Sequence, residues 1–216
     1  MTRKRVGVLI SGRGSNLQAL LDAAGEPDCP FEIVLVLSNK PDVQGLARAA
    51  AAGVATAVVP HRDFADRESF ERAVTETLET AQVDLVCQAG FMRVVTGWFV
   101  ARWHNRLLNI HPSLLPAFPG LDTHSRALAA GVKLHGCSVH LVRETVDEGP
   151  ILGQAAVPVL PDDDAESLAA RVLQAEHRLY PTCLKLYAAG RIRLQGETAR
   201  ADSAAEPLQL MINPTI

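Results

Sequence analysis

The stretch Val6-Gly7-Val8-Leu9-Ile10-Ser11-Gly12-Arg13-Gly14-Ser15-Asn16 decides the fold. Val6 to Ile10 is a short, unbroken apolar run, the composition of a strand buried on both faces. Gly12 and Gly14 follow it, and then Leu17, Leu20, Leu21 and Ala24 recur at helical spacing. Strand, glycine-rich turn and helix lay out a cradle for an anion. The glycines let the backbone approach it, and the free N–H groups at the helix start bind it. Leu17 stands where a dinucleotide fingerprint needs its third glycine, and no Gly-Lys-Ser/Thr is present, so this is not a P-loop. A small monophosphate fits better. The alternative is a helix capped by Ser15 or Asn16 with no ligand.

Outward from that unit the same alternation repeats. Phe31 to Leu37 reads as a second strand, ending at Ser38-Asn39-Lys40-Pro41, where an NAD-binding Rossmann unit would place an acidic residue. Leu46 to Ala52 reads as a helix closed by Gly53, Ala55 to Val59 as a strand, and Asp66 to Ala81 as an amphipathic helix on Phe70, Val74 and Leu78. Val83 to Cys87 is a fourth strand. The alternation predicts an α/β fold: a Rossmann-like, mostly parallel sheet with helices on both faces. Phe91 to Val95, with Arg93 in its midst, either lines a pocket for a flat heterocycle or forms the first buried turn of the next helix. Trp98, Phe99 and Trp103 dock that helix on the sheet.

Leu107 to Ile110 ends another strand. Asn109 and His111, two apart, share a face, and Pro112 bars further pairing. The two therefore stand where the strand stops, the edge at which open parallel sheets build their sites. The alternative is a turn in which Asn109 bonds the backbone and His111 packs. A rigid loop with Pro112, Pro116 and Pro119 leads to a helix at Thr123 to Ala130. His135 to Val142 and Ile151 to Val159 read as antiparallel strands joined through Asp147-Glu148-Gly149-Pro150. Asp147 is a candidate partner for His111, or a turn aspartate bonding its own backbone. Pro161-Asp162-Asp163-Asp164 opens a long helix whose N-terminus accounts for the acidic cluster. Leu168, Val172, Leu173 and Leu179 form its apolar face, and Pro181 is a candidate kink. Glu176 and His177 read as a solvated face. Arg191 to Leu194 reads as a last strand. Residues 1–194 are expected to form a single domain, and 195–216 a tail that is partly ordered at best.

Composition narrows the function. With 216 residues, 48% apolar and 21% charged, the chain has the makeup of a soluble globular protein. Net charge is −3 with no basic block, which recommends no nucleic-acid surface. Cys29, Cys87, Cys137 and Cys183 form no CxxC pair, which argues against a zinc ribbon or disulfide framework and suits a reducing cytosol. The first apolar run is too short for a signal peptide or membrane span, so a cytoplasmic protein is expected. Five of the seven histidines lie between His104 and His140, but none has HExxH spacing and no cysteine stands near in a ligand pattern, so no metal is expected.

Taken together, Ile10-Ser-Gly-Arg-Gly-Ser-Asn16, Ala89-Gly-Phe-Met-Arg93, Leu108-Asn-Ile-His-Pro-Ser-Leu-Leu-Pro116, Gly136-Cys-Ser-Val-His140 and Asp147-Glu-Gly-Pro150 resemble the folate-dependent formyltransferases, from about Arg5 to Arg193. The Gly-x-Gly-Ser-Asn loop points to the branch that acts on glycinamide ribonucleotide. The resemblance implies that Gly14, Ser15 and Asn16 hold the ribonucleotide phosphate and that Glu176 contacts the ribonucleotide. It implies that Met92, Arg93, Val94, Val95 and Val146 hold the folate's pterin, and that Arg67 meets its glutamate tail. It implies Asn109, His111 and Asp147 as the catalytic group. 10-formyltetrahydrofolate is then a co-substrate, with no tightly bound cofactor, and the protein a monomer or homodimer. Position 122 is Asp where some relatives carry a histidine.

The residue types suit that chemistry. As an amine attacks a formyl carbon, the carbonyl oxygen gathers negative charge, and preorganised donors there are worth about 3–4 kcal/mol each in favourable cases. Asn109 offers a neutral donor and protonated His111 a charged one, which Asp147 would hold and orient. Asp147, directly or through a water, can pass the amine's proton to the leaving folate nitrogen. Separation of the three side chains by more than about 8 Å with no water path would exclude this. Three other readings share features with the chain. A methionyl-tRNA formyltransferase would need a further basic domain after Arg193. A formyltetrahydrofolate hydrolase would use water as acceptor. A non-catalytic nucleotide-binding module would not need Asn109, His111 and Asp147 to converge.

Overall fold

The computed structural model describes residues 2–202. The chain runs β1 (Lys4–Ile10), α1 (Ser15–Ala24), β2 (Phe31–Ser38), α2 (Gln44–Ala51), β3 (Thr56–Val58), α3 (Arg67–Thr80) and β4 (Leu85–Gln88). It continues as α4 (Gly97–Arg102), β5 (Leu107–His111), α5 (Thr123–Ala129), β6 (Leu134–Leu141), β7 (Ile151–Pro158), α6 (Ala165–Ala188), β8 (Ile192–Gln195) and β9 (Thr198–Ala201). Seven strands form one sheet in the order β3-β2-β1-β4-β5-β6-β7. β1 to β5 are parallel, and β6 and β7 are antiparallel to their neighbours.

Alternation along β1 explains the layers. Val6, Val8 and Ile10 face one side, where they pack with Leu17, Leu20 and Leu21 of α1 and Leu168, Val172, Tyr180 and Leu184 of α6. Leu9 faces the other, with Phe70, Val74 and Leu78 of α3 and Phe99 and Trp103 of α4. Val6 pairs with Ile33 but Gly7 with Leu35, so Val34 is the extra residue of a bulge. That bulge sends Ile33 and Leu35 to opposite cores.

The chain builds outward from β1 to β3, then returns to lay β4 and β5 on the other side of β1. The connections after β1 and β4 therefore part company at the carboxyl ends of those strands, the crevice in which open sheets bind ligands. At β6 the direction reverses. Asn109 of β5 now stands directly opposite His140, and His111 opposite Ser138.

Phe91 to Val95 is not the first buried turn of a helix: it is irregular, Met92 and Val94 are exposed, and α4 begins at Gly97. Pro181 does not interrupt α6, which runs through it to Ala188. Thr198–Ala201, placed in the loose tail, pairs with Ile192–Gln195 across a turn at Gly196, whose φ is 60°. Its alternation is hidden because Ala199 and Ala201 carry too little apolar surface to register as a strand face. Residues 203–216, the rest of the expected tail, lie outside the described residues. Among the described residues no helix is long and apolar enough to cross a membrane.

Candidate active site

α1 starts without a cap. Gly14 occupies the N-cap position at φ 71°, no side chain closes the helix end, and its first turn holds no acidic residue. A Cβ at Gly14 would stand 2.8 Å from Gly45 Cα, so both backbone angle and space demand glycine. Ser15 and Asn16 are the first helical residues rather than caps. Among the described residues Gln18 N–H bonds Gly14 O at 3.0 Å, while the N–H groups of Ser15, Asn16 and Leu17 have no partner. The loop is braced from behind: Gly45 N donates to Gly12 O at 3.1 Å and Arg48 Nε to Arg13 O at 3.0 Å.

Beside this open end, Asn16 Nδ2 donates to Glu176 Oε2 at 2.7 Å. Glu176 is only 7% exposed, which overturns the solvated-face reading. Burial raises its pKa, against the lowering effect of the Asn16 bond. The signal was present in the sequence. Leu168, Val172, Glu176, Tyr180 and Leu184 recur every four residues, so Glu176 lies on the buried stripe of α6. Asn16 Oδ1 is buried without a partner.

At the ends of β5 and β6 four polar side chains meet. Asp147 Oδ2 stands 3.3 Å from His111 Nδ1, and Asp147 Oδ1 3.6 Å from His140 Nε2. Asn109 Nδ2 lies 3.3 Å from His140 Nε2. No link in the chain from Asn109 through His140 and Asp147 to His111 exceeds 3.6 Å. His140 Nδ1 sits 3.1 Å from Leu141 O, and its Nε2 faces both Asn109 Nδ2 and Asp147 Oδ1. His111 Nε2 faces Phe118 O at 3.0 Å. Asp147 does not bond its own backbone: it accepts from Gly120 N at 2.9 Å, and it holds φ 60°, a left-handed conformation that is strained for a residue with a Cβ. Burial works to raise its pKa, but the His140 and Gly120 bonds and the charge of His111 outweigh it and hold the carboxyl below the ordinary range.

This cluster lines a cavity of about 560 Å³. Met92, Arg93, Val94, Val95 and Val146 line it together with Asn109, His111 and Asp147. Arg93 also lies 5.6 Å over the Phe70 ring. Arg67 is not brought to this wall: it is exposed at the first position of α3. Gly14, Ser15, Asn16 and Glu176 stand apart from the cavity, at the α1 end.

Sequence reasoning missed His140 as a member of the cluster. Its signal was the β5–β6 pairing, since an antiparallel neighbour puts cross-strand side chains on one face. It also missed Thr123 and His124, which line the cavity. Thr123 Oγ1 is buried without a partner. His124 Nδ1 contacts His135 Nε2 at 3.2 Å, and burial drives His135 down to about 4, so that ring is neutral at pH 7. Among the described residues no three His, Cys, Asp or Glu side chains are arranged to hold a metal ion.

The formyl transferase family model matches residues 4–184. The trifunctional purine biosynthetic protein adenosine-3 of Drosophila melanogaster is 52% identical over 199 residues, 91% of this chain and 15% of the relative. The chain thus spans between a seventh and a fifth of the length of the trifunctional relatives it matches. The phosphoribosylglycinamide formyltransferase of Haemophilus influenzae is 42% identical over 204 residues, 94% of this chain and 96% of that one. The crystal structure of glycinamide ribonucleotide transformylase 1 from Symbiobacterium toebii superposes with a TM-score of 0.90 at 49% identity, over 92% of this chain and 94% of that one.

Proposed function

The chain belongs to the formyl transferase family, and from that premise we propose that it transfers the formyl group of 10-formyltetrahydrofolate to the amine of glycinamide ribonucleotide, in the cytoplasm and within a single domain that takes in the β8–β9 hairpin. One observation carries the reading. An uncapped helix start with unpaired N–H groups and a buried glutamate lies on the same sheet rim as a cavity lined by Asn109, His111, His140 and Asp147. A phosphate suits the first and a flat folate the second, with the reacting atoms between them.

The ribonucleotide phosphate takes the N–H groups of Ser15, Asn16 and Leu17, and Glu176 receives hydroxyl donors of the ribose. The pterin enters between the 92–95 segment and Val146, and Arg67 reaches only the outer, glutamate end of the folate. The formyl carbon then lies beside Asn109. Attack by the amine forms the new C–N bond and places charge on the carbonyl oxygen, which Asn109 Nδ2 and His111 stabilise as donors. His111 Nε2–H, given to Phe118 O in the resting structure, turns to that oxygen. Asp147, ionised and held by Gly120 N and the two histidines, accepts the amine proton and delivers it to the folate nitrogen as the C–N bond to folate breaks. His140 orients Asn109 and Asp147. No covalent intermediate with the protein and no resident prosthetic group takes part.

The test is loss of the formyl group from 10-formyltetrahydrofolate with and without glycinamide ribonucleotide. Turnover that requires the ribonucleotide is the expected result. Turnover with water alone would make the protein a hydrolase, and no turnover by folded protein would make it a binding module.

A further inference from the structure

The turn that cradles the phosphate and the segment that lines the folate cavity meet at one residue. Ser11, the first residue after β1, is 6% exposed and belongs to neither binding wall. Its backbone N–H donates to Gly90 O at 3.2 Å. Its hydroxyl accepts from Met92 N at 2.9 Å and donates to Asn39 Oδ1 at 2.6 Å. Asn39 is itself buried at the end of β2, its Nδ2 3.2 Å from His61 Nδ1. The next residues of the turn are tied the other way, Gly12 O to Gly45 and Arg13 O to Arg48. Among the described residues Ser11 is thus the link between the phosphate turn and the 90–95 segment.

We infer that Ser11 is a positioning residue that couples the two substrate sites: fixing the phosphate turn fixes Gly90 and Met92, and with them the folate wall. The inference rests on the function proposed above. The exposed Met92 and Val94 belong to an irregular segment with no ladder of its own to hold it, so its two bonds to Ser11 are large constraints for so short a stretch. A ligand that orders the turn makes ordering of the wall cheaper for the second ligand, and by linkage the effect is reciprocal.

The experiment is calorimetric titration of glycinamide ribonucleotide, and of a folate analogue with a non-transferable group at the formyl position, each alone and each with the other saturating. In the unaltered protein each ligand is expected to tighten the other at least about fivefold. Ser11→Ala removes the hydroxyl and strands Met92 N–H. The coupling is expected to fall below about twofold, with each ligand still bound singly and the thermal midpoint lowered, since the buried Asn39 Oδ1 loses its donor as well. Asn39→Ala, which touches neither wall, is expected to reduce the coupling in the same direction and serves if Ser11→Ala does not fold. Additive binding in the unaltered protein, or full coupling in whichever variant folds, overturns the inference and leaves the proposed function standing. Failure of the unaltered protein to bind the ribonucleotide overturns both.

Discussion

Two helix starts in this molecule are built in opposite ways. At α6, Asp164 accepts from Ser167 N and Ser167 reciprocates, while Asp163 takes both arms of Arg171. The N–H groups, the charges and the dipole are answered within the chain. At α1 the cap position is a glycine, the first turn carries no acid, and the leading N–H groups face outward. The same contrast divides the carboxylates. Asp163 is held far below the usual carboxylate range, Arg171 being the main cause. Asp147 and Glu176 are buried instead with histidines and an asparagine for company. Of the buried polar atoms without a partner among the described residues, Asn16 Oδ1 and Thr123 Oγ1 lie on the sheet rim. Where a fold needs only stability it closes its polar groups, and where it leaves them open something else is meant to fill them.

That contrast can be broken at its strongest point first. Asp147→Asn is expected to lower turnover about 10³-fold while the protein still folds, since an amide oxygen can still accept from Gly120 N and only the stability supplied by the charge is lost. Turnover near that of the unaltered protein would move Asp147 into the closed class. Next, Ser15→Asp places a carboxylate in the open first turn. Like charge against the phosphate should raise KM for the ribonucleotide at least about tenfold, while complementing the dipole should stabilise the free protein by about 0.3–1 kcal/mol. Parallel KM and melting measurements separate the two signs. Asp164→Ala is the mirror experiment: about 1 kcal/mol of stability lost, with KM unmoved.

The smallest effect concerns Glu176. Its pKa is raised from 4.5 in the folded protein by burial, so its contribution to stability is present below the unfolded value and lost as pH rises through the folded one. Glu176→Gln should therefore flatten the stability curve on the neutral side while weakening ribonucleotide binding. Asp147 has the opposite sign: its contribution holds above the ordinary carboxylate range and fades as pH falls. Melting curves from acid to neutral pH read both slopes.

What the sequence made legible was local. Val6 to Asn16 displayed strand, turn and helix, and the two-residue spacing of Asn109 and His111 displayed a shared face, because strand and helix periods are written in neighbouring residues. What stayed hidden depended on partners distant in the chain. His140 joins the cluster only because β6 runs against β5. Asp147 reaches His111 across a loop whose length says nothing of its path. Glu176 looked solvated because its charge was weighed above its four-residue spacing. The family resemblance supplied Glu176, and it chose between the two readings that the loop left open for Asp147.

The reversal of direction at β6 has a consequence for anyone who divides this chain. Asn109 and His111 precede the exposed turn at Gly131, while His140 and Asp147 follow it. On the proposed mechanism a cut there yields two pieces, each holding half of the reacting group and neither expected to turn over. Activity is then expected to return when β5 zips against β6 in the register that sets Asn109 opposite His140. Catalysis by the rejoined halves would be a direct meter of strand pairing, silent for every misaligned encounter.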